Sequence, residues 1–150
     1  MSELYHEENG DGIVAAANIP VEFTAKDFNW KVPLPGVGHS SPVAWGGKIF
    51  VTAADKATGK RMVLCLSATD GKILWSRESD AAKYKTHLRN SIATSPPAVD
   101  AERVYTVWGT PEQVTAIAYT HSGDKAWSTD LGSFKGGHGF GMRKIGRAHV

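Results

Sequence analysis

The chain has little that would cross-link it, anchor it or wind it into helices. It holds one cysteine in 150 residues, which excludes an internal disulfide. Cys65 lies in the apolar run "MVLCL" (62–66) and reads as a small buried hydrophobe. No apolar run approaches the roughly 20 residues that a membrane-spanning helix needs. No segment longer than a few residues carries helical periodicity. "ESDAAKYKTHLRN" (78–90) holds at most one helical turn and reads as a loop between units. The opening "MSELYHEENGDG" is polar and acidic, without the basic and then apolar order of a signal peptide. An excess of one charge is missing too. The formal charge is +2, but the last nine residues, "MRKIGRAHV", contribute Arg143, Lys144 and Arg147 and no acid. Taking those three from the 17 basic residues leaves 14 against 15 acids, a net of −1. A near-neutral body offers no nucleic-acid surface, so no nucleic-acid partner is expected.

What is present points to strands and turns. Sixteen glycines, seven prolines and five tryptophans favour a β-rich, turn-rich fold. The apolar fraction of 41% is enough for a packed core. Setting Trp30, Trp75 and Trp127 in register exposes a repeat with intervals of 45 and 52 residues. "SSPVAWGGKIFVTA" (40–53) matches "TSPPAVDAERVYTVWG" (94–109): Ser-Pro, a short apolar strand, a polar turn and a second strand. "MVLCLSA" (62–68) then matches "VTAIAYT" (114–120), and "DGKILW" (70–75) matches "SGDKAW" (122–127). "WGGK" and "VDAER" read as hairpin turns. Asp70-Gly71 in "TDGK" is a strong signal for a two-residue hairpin.

Four short antiparallel strands repeating at this interval predict an all-β fold, a partial β-propeller of about two blades with the start of a third. The organisation expected is a lead-in and outer strand over 1–29 and a first blade over 30–75. A second blade follows over 76–127, then the start of a third over 128–141. A tryptophan on the last strand of each blade can cover the seam with the next, or fill its own sheet. Its place in the repeat favours the seam.

"ATDGKILW" (68–75) resembles a shortened tryptophan-docking motif of the PQQ-like, or quinoprotein-type, β-propeller repeats, with Ala68, Asp70, Gly71, Lys72 and Trp75 in place. "YTHSGDKAW" (119–127) is a more degenerate copy that keeps Gly123, Lys125 and Trp127. "WKVPLPGVGHSSPVAWGGKIFVT" (30–52) is similar to the first blade of bacterial extracytoplasmic members. The resemblance spans roughly residues 9–141. It implies a structural docking role for Trp30, Asp70, Gly71, Trp75, Gly123 and Trp127. It also implies a complete ring of seven or eight blades, so the remaining blades of the same propeller are the first partners expected. Proteins docking on loop surfaces are the second. A periplasmic or otherwise extracytoplasmic location follows from the resemblance, although no signal peptide is visible.

Family members include quinone-dependent alcohol dehydrogenases and non-catalytic scaffolds, such as the propeller lipoprotein of outer-membrane assembly. The expected function is a non-catalytic binding scaffold. The alternative is part of a dehydrogenase whose catalytic residues lie in missing blades. No cofactor is expected in this stretch; PQQ and calcium belong to it only on the dehydrogenase reading. No catalytic residue is assigned.

Three histidines recur near the start of the units. His39, His87 and His138 fall 9, 12 and 11 residues after their tryptophans. This places them near one mouth of the central channel, with Arg89 and Asn90 beside His87. A ligand-binding mouth is one reading of these five residues. Capping of loop backbone is the other. Converging imidazoles suit zinc or copper, but neighbouring blades diverge around a channel, so no metal site is expected. "DKATGKR" (55–61) and "TPEQ" (110–113) read as solvated loops, and the former lacks phosphate-loop spacing. Lastly, "IGRAHV" (145–150) resembles the translation of a common short-read sequencing adapter. Residues 142–150 are therefore read as a non-native tail on a truncated propeller.

Overall fold

Strand-forming runs separated by glycine and Asx turns leave the chain one economical arrangement, the antiparallel meander. A computed structural model of the protein describes residues 22–80 and 91–133. The first sheet holds β1 (Val43–Trp45), β2 (Lys48–Ala54), β3 (Arg61–Ser67) and β4 (Ile73–Ser79), side by side in sequence order. The second holds β5 (Ala98–Val99), β6 (Arg103–Gly109), β7 (Val114–Thr120) and β8 (Lys125–Asp130), in the same order. All pairings are antiparallel. The only helical element among the described residues is a single 3-10 turn, Ala25–Asp27, capped by Thr24. Two consecutive four-stranded blades are the expected all-β propeller architecture.

The hairpins follow local chemistry. Gly46 and Gly47 both take positive φ, 54° and 75°, and turn β1 into β2 in two residues. Asp100 closes the β5–β6 turn by accepting from the backbone of Glu102 and Arg103, both at 2.9 Å. The Asp-Gly turn differs from expectation. The Ser67 amide donates to the Lys72 carbonyl at 2.8 Å, so four residues lie inside the turn rather than two. Of its glycine's neighbours, Asp70 is occupied elsewhere: its carboxylate accepts from the Lys72 amide at 3.2 Å and pairs with the Lys72 ammonium at 2.9 Å.

Side chains alternate across each strand, and both faces of the first sheet are apolar. Phe50, Val63 and Cys65 face the second sheet, where they meet Val99, Val104, Trp108, Ile117 and Tyr119. Val51, Ala53, Met62, Leu64 and Leu66 point the other way and pack with Val32 and Ile49. That is why "MVLCL" reads as a continuous apolar run: β3 is buried from Arg61 to Leu66. β1 and β5, the first strand of each sheet, lie next to each other.

Cys65 is fully buried, and burial pushes its thiol up from about 9 to about 11. A raised folded value gives stability that is complete below the ordinary thiol pKa and is lost as pH climbs toward 11. Cys65 should therefore resist thiol reagents in the native chain and react only as fast as the chain unfolds. Cys65→Ala should flatten the loss of stability between pH 9 and 11, read from urea midpoints. A native-state rate like that of free cysteine contradicts this burial.

Candidate functional site

The joint between the sheets is set by a β-bulge. Leu66 pairs with Ile73 and Cys65 pairs with Trp75, so Leu74 is an extra residue in β4. The second sheet repeats the irregularity: Tyr119 pairs with Lys125 and Ala118 with Trp127, leaving Ala126 extra. Without the extra residue each tryptophan would slip one register and point to the opposite face. With it, Trp75 stands beside Cys65 and faces the second sheet.

There the indole meets a prepared seat. Its N–H donates to the His121 carbonyl at 3.0 Å. Its ring lies against Gly123, where an added Cβ would come within 2.8 Å of Cδ2. Gly123 also has φ of 91°, a conformation that disfavours any side chain. Phe50 and Tyr119 flank the ring at 6.0 and 6.2 Å. The Arg77 guanidinium sits over the indole at 5.7 Å and donates through Nε to the Gly123 carbonyl at 2.6 Å. Lys48 Nζ donates to the same His121 carbonyl at 3.0 Å. The His121 ring is 2.9 Å from the Asp100 carbonyl and packs near Trp45 and Phe50.

The same arrangement occurs one unit earlier. The Trp30 indole donates to the Ala68 carbonyl at 3.0 Å. An added Cβ on Gly71, whose φ is 72°, would lie 2.6 Å from Trp30 Cε3. Trp30 and Trp75 thus each sit on the glycine of the following unit, and Trp75 does not sit on Gly71, four residues before it. Asp70 and Lys72 shape the turn that presents Gly71. Hydrogen bonds from Lys72 and Ser67 hold the Asp70 carboxyl down at about 2.

A second link crosses the joint through polar groups. Thr52 is buried, and its hydroxyl lies 2.8 Å from Ser40 Oγ and 3.1 Å from the Ser95 carbonyl. It ties the two Ser-Pro segments together. Arg61, expected as the end of a solvated loop, is instead the first residue of β3 and only 7% exposed. Its guanidinium stacks on Trp108 at 5.6 Å and reaches the Gly109 carbonyl at 3.4 Å. The stacking supplies what a loop arginine would lack, a desolvated partner in the second sheet. The rest of "DKATGKR" is a turn closed by Asp55, whose carboxylate accepts from Ala57 and Thr58. "TPEQ" closes through Thr110 and Gln113.

Of the channel-mouth residues, only His39 is described; His87, Arg89, Asn90 and His138 lie outside the described residues. The His39 side chain is exposed, and its amide donates to the Ala93 carbonyl at 2.9 Å, joining the two segments that lead into the sheets. It borders a groove of about 990 Å³ on the outer face of the first sheet, lined by Trp30, Val32, Ile49, Val51 and Leu66. Among the described residues no three histidine, cysteine or carboxylate side chains cluster as a metal site. Trp127 stacks near Tyr105 at 6.0 Å and is 38% exposed. Sequence reasoning missed Lys48, Arg77 and His121. His121 acts largely through its carbonyl, which leaves no mark on residue choice.

Two outcomes follow for stability. Trp75→Phe removes the indole donor and should cost about 1–2 kcal/mol, while Trp75→Ala should cost about 3 kcal/mol or more. Gly123→Val should match the latter through ring overlap and strained φ, whereas Gly47→Ala, with open space around it, should cost less. Urea titration of the four variants checks the order. Asp70→Asn should lower the midpoint at pH 7 and do so much less near pH 2, because a depressed carboxyl contributes fully above its unfolded pKa and loses that contribution as pH falls through its folded value. Equal effects at both pH values would contradict this.

Comparison with known proteins supplies the family. No curated protein sequence matches the chain. A solved structure, BamB from Moraxella catarrhalis, matches with a TM-score of 0.47 at 18% identity, covering 67% of this chain. The match takes in 27% of that protein's length. The family model described as outer membrane protein assembly factor BamB matches residues 15–141. This agrees with the resemblance to PQQ-like propeller repeats and covers both described sheets. The chain belongs to the BamB family of PQQ-like repeat proteins.

Proposed function

We propose that this chain is part of a non-catalytic β-propeller scaffold that works outside the cytoplasm in outer-membrane protein assembly, presenting loop surfaces to protein partners. The observation that carries this reading is the family match over residues 15–141. Further blades complete the propeller around the two described sheets. No helix among the described residues is long and apolar enough to cross a membrane.

The use made of the carboxylates supports a scaffold over a quinone enzyme. A dehydrogenase of the quinone type needs a free carboxylate base and oxygen ligands for calcium. Among the described residues Asp55, Asp100 and Asp130 hold their own turns, Asp70 pairs with Lys72, and Glu78 pairs with Lys60 at 3.0 Å. These carboxylates are spent on turns and ion pairs, which supports the scaffold reading. The aromatic and basic side chains of the joint are likewise committed to holding one sheet on the other.

The test is made on the full-length protein in its native host. Removing the gene should lower the levels of outer-membrane β-barrel proteins, and the purified protein should show no dye-linked alcohol oxidation with PQQ and calcium. Stoichiometric quinone uptake with alcohol oxidation would overturn the reading, as would unchanged β-barrel levels.

A further inference from the structure

The joint between the two sheets is closed by more than Trp75. Three polar side chains of the first sheet cross it to backbone carbonyls of the second unit. Thr52 Oγ1 donates to the Ser95 carbonyl at 3.1 Å. Arg61 Nη2 donates to the Gly109 carbonyl at 3.4 Å, and Arg77 Nε to the Gly123 carbonyl at 2.6 Å. Directional bonds of this kind, shielded from water, hold one register and resist sliding. Their acceptors belong to the following unit, so their donors have to come from the preceding sheet.

The second sheet turns the corresponding face to the unit that follows it, and strand register gives the counterparts. Phe50 pairs with Val43 and Cys65, as Tyr105 pairs with Ala98 and Ala118. Two residues further along, Val107 stands at the place of Thr52. Val114, opposite Gly109, stands at the place of Arg61, opposite Ala54. Thr129, opposite Ala116, stands at the place of Arg77, opposite Val63. All three donors are replaced, two by valines that cannot donate and one by a side chain too short to reach as Arg77 does. Val107, Val114 and Ala116 form a buried apolar cluster instead. Tyr105, in the place of Phe50, donates to the Asp100 carboxylate of its own sheet at 2.8 Å. Arg103, in the place of Lys48, lies 3.9 Å from the Glu102 carboxylate beside it.

We propose that the joint between the second sheet and the blade that follows it is a yielding seam of the ring: the first two sheets move as one body, and the ring opens beside β8. This rests on the reading that further blades complete the propeller. Apolar contact is non-directional. Two sheets held mainly by it part or slide more readily than two that also share buried hydrogen bonds. In a stack held by nearest-neighbour contacts, opening begins where the contact is weakest. Opening there uncovers Val107, Val114 and Ala116. Thr52, Arg61 and Arg77 meanwhile keep the first joint shut.

Labelling of the full-length protein with N-ethylmaleimide, resolved by peptide mass spectrometry, tests this. Cys65 reports on the first joint. Cys65→Ala with Ala118→Cys moves the thiol to the register counterpart in the second. Val114→Cys in the same Cys65→Ala background does so without enlarging a side chain. In native buffer the moved thiol should react at least tenfold faster than Cys65, and at least tenfold slower than it does in urea. Arg77→Met should speed Cys65 at least tenfold with circular dichroism unchanged. Equal rates at the two joints would overturn the proposal and leave the ring reading standing, as would an Arg77→Met variant in which Cys65 reacts no faster. A moved thiol that reacts as fast in buffer as in urea means that no blade covers that face, which overturns the ring reading and the proposal with it.

Discussion

The structure hangs on one aromatic contact, the Trp75 indole seated on Gly123 and bonded to the His121 carbonyl. Two twisted sheets packed face to face separate toward their outer strands. A ring of this size bridges the widening gap, because it buries roughly 150–250 Å². The contact has three requirements, and each is met by a different part of the chain. The extra residue Leu74 aims the ring. The left-handed glycine admits it. The hairpin carbonyl satisfies its single donor. Phe50, Tyr119, Arg77 and Lys48 then pack or bond around a geometry already fixed.

This arrangement explains why the repeat is written as it is. Trp75 follows Gly71 by four residues in the sequence, but the glycine it sits on, Gly123, belongs to the next unit. Unit boundaries in the chain and in the structure are therefore offset, and every unit depends on its neighbour. Such a design gives stiffness along the direction of stacking. A family tied to outer-membrane protein assembly by its name, rather than to a reaction, agrees with polar side chains spent on turns and joints.

Much of the fold was legible because propeller strands have strong local marks. Continuous apolar runs such as "MVLCL" and "VTAIAY", Gly46-Gly47 and the Asx turn at Asp100 each announce their structure. Other features were not legible, for physical reasons. A bulge is a fact of register between strands, and "ILW" looks the same with or without it. The Asp-Gly turn was expected to close in two residues, but Asp70 is held by Lys72 and the turn opens to four. Arg61 looked solvated because charge usually is; the face of Trp108 and the Gly109 carbonyl across the joint make its burial tolerable. His121 contributes a carbonyl, which any residue would carry. Of the suggested channel mouth, His39 alone is described. It is placed by its backbone contact to Ala93.

The most direct test of the account is hydrogen exchange at the indole nitrogens, followed by NMR. The account predicts that the Trp75 indole proton exchanges only with unfolding of the chain, near the rate of the slowest amides in β3. The Trp127 indole should exchange much faster. A Trp75 indole that exchanges as fast as that of Trp127, in a chain whose β3 amides stay protected, would contradict the claim that this contact holds the two sheets together.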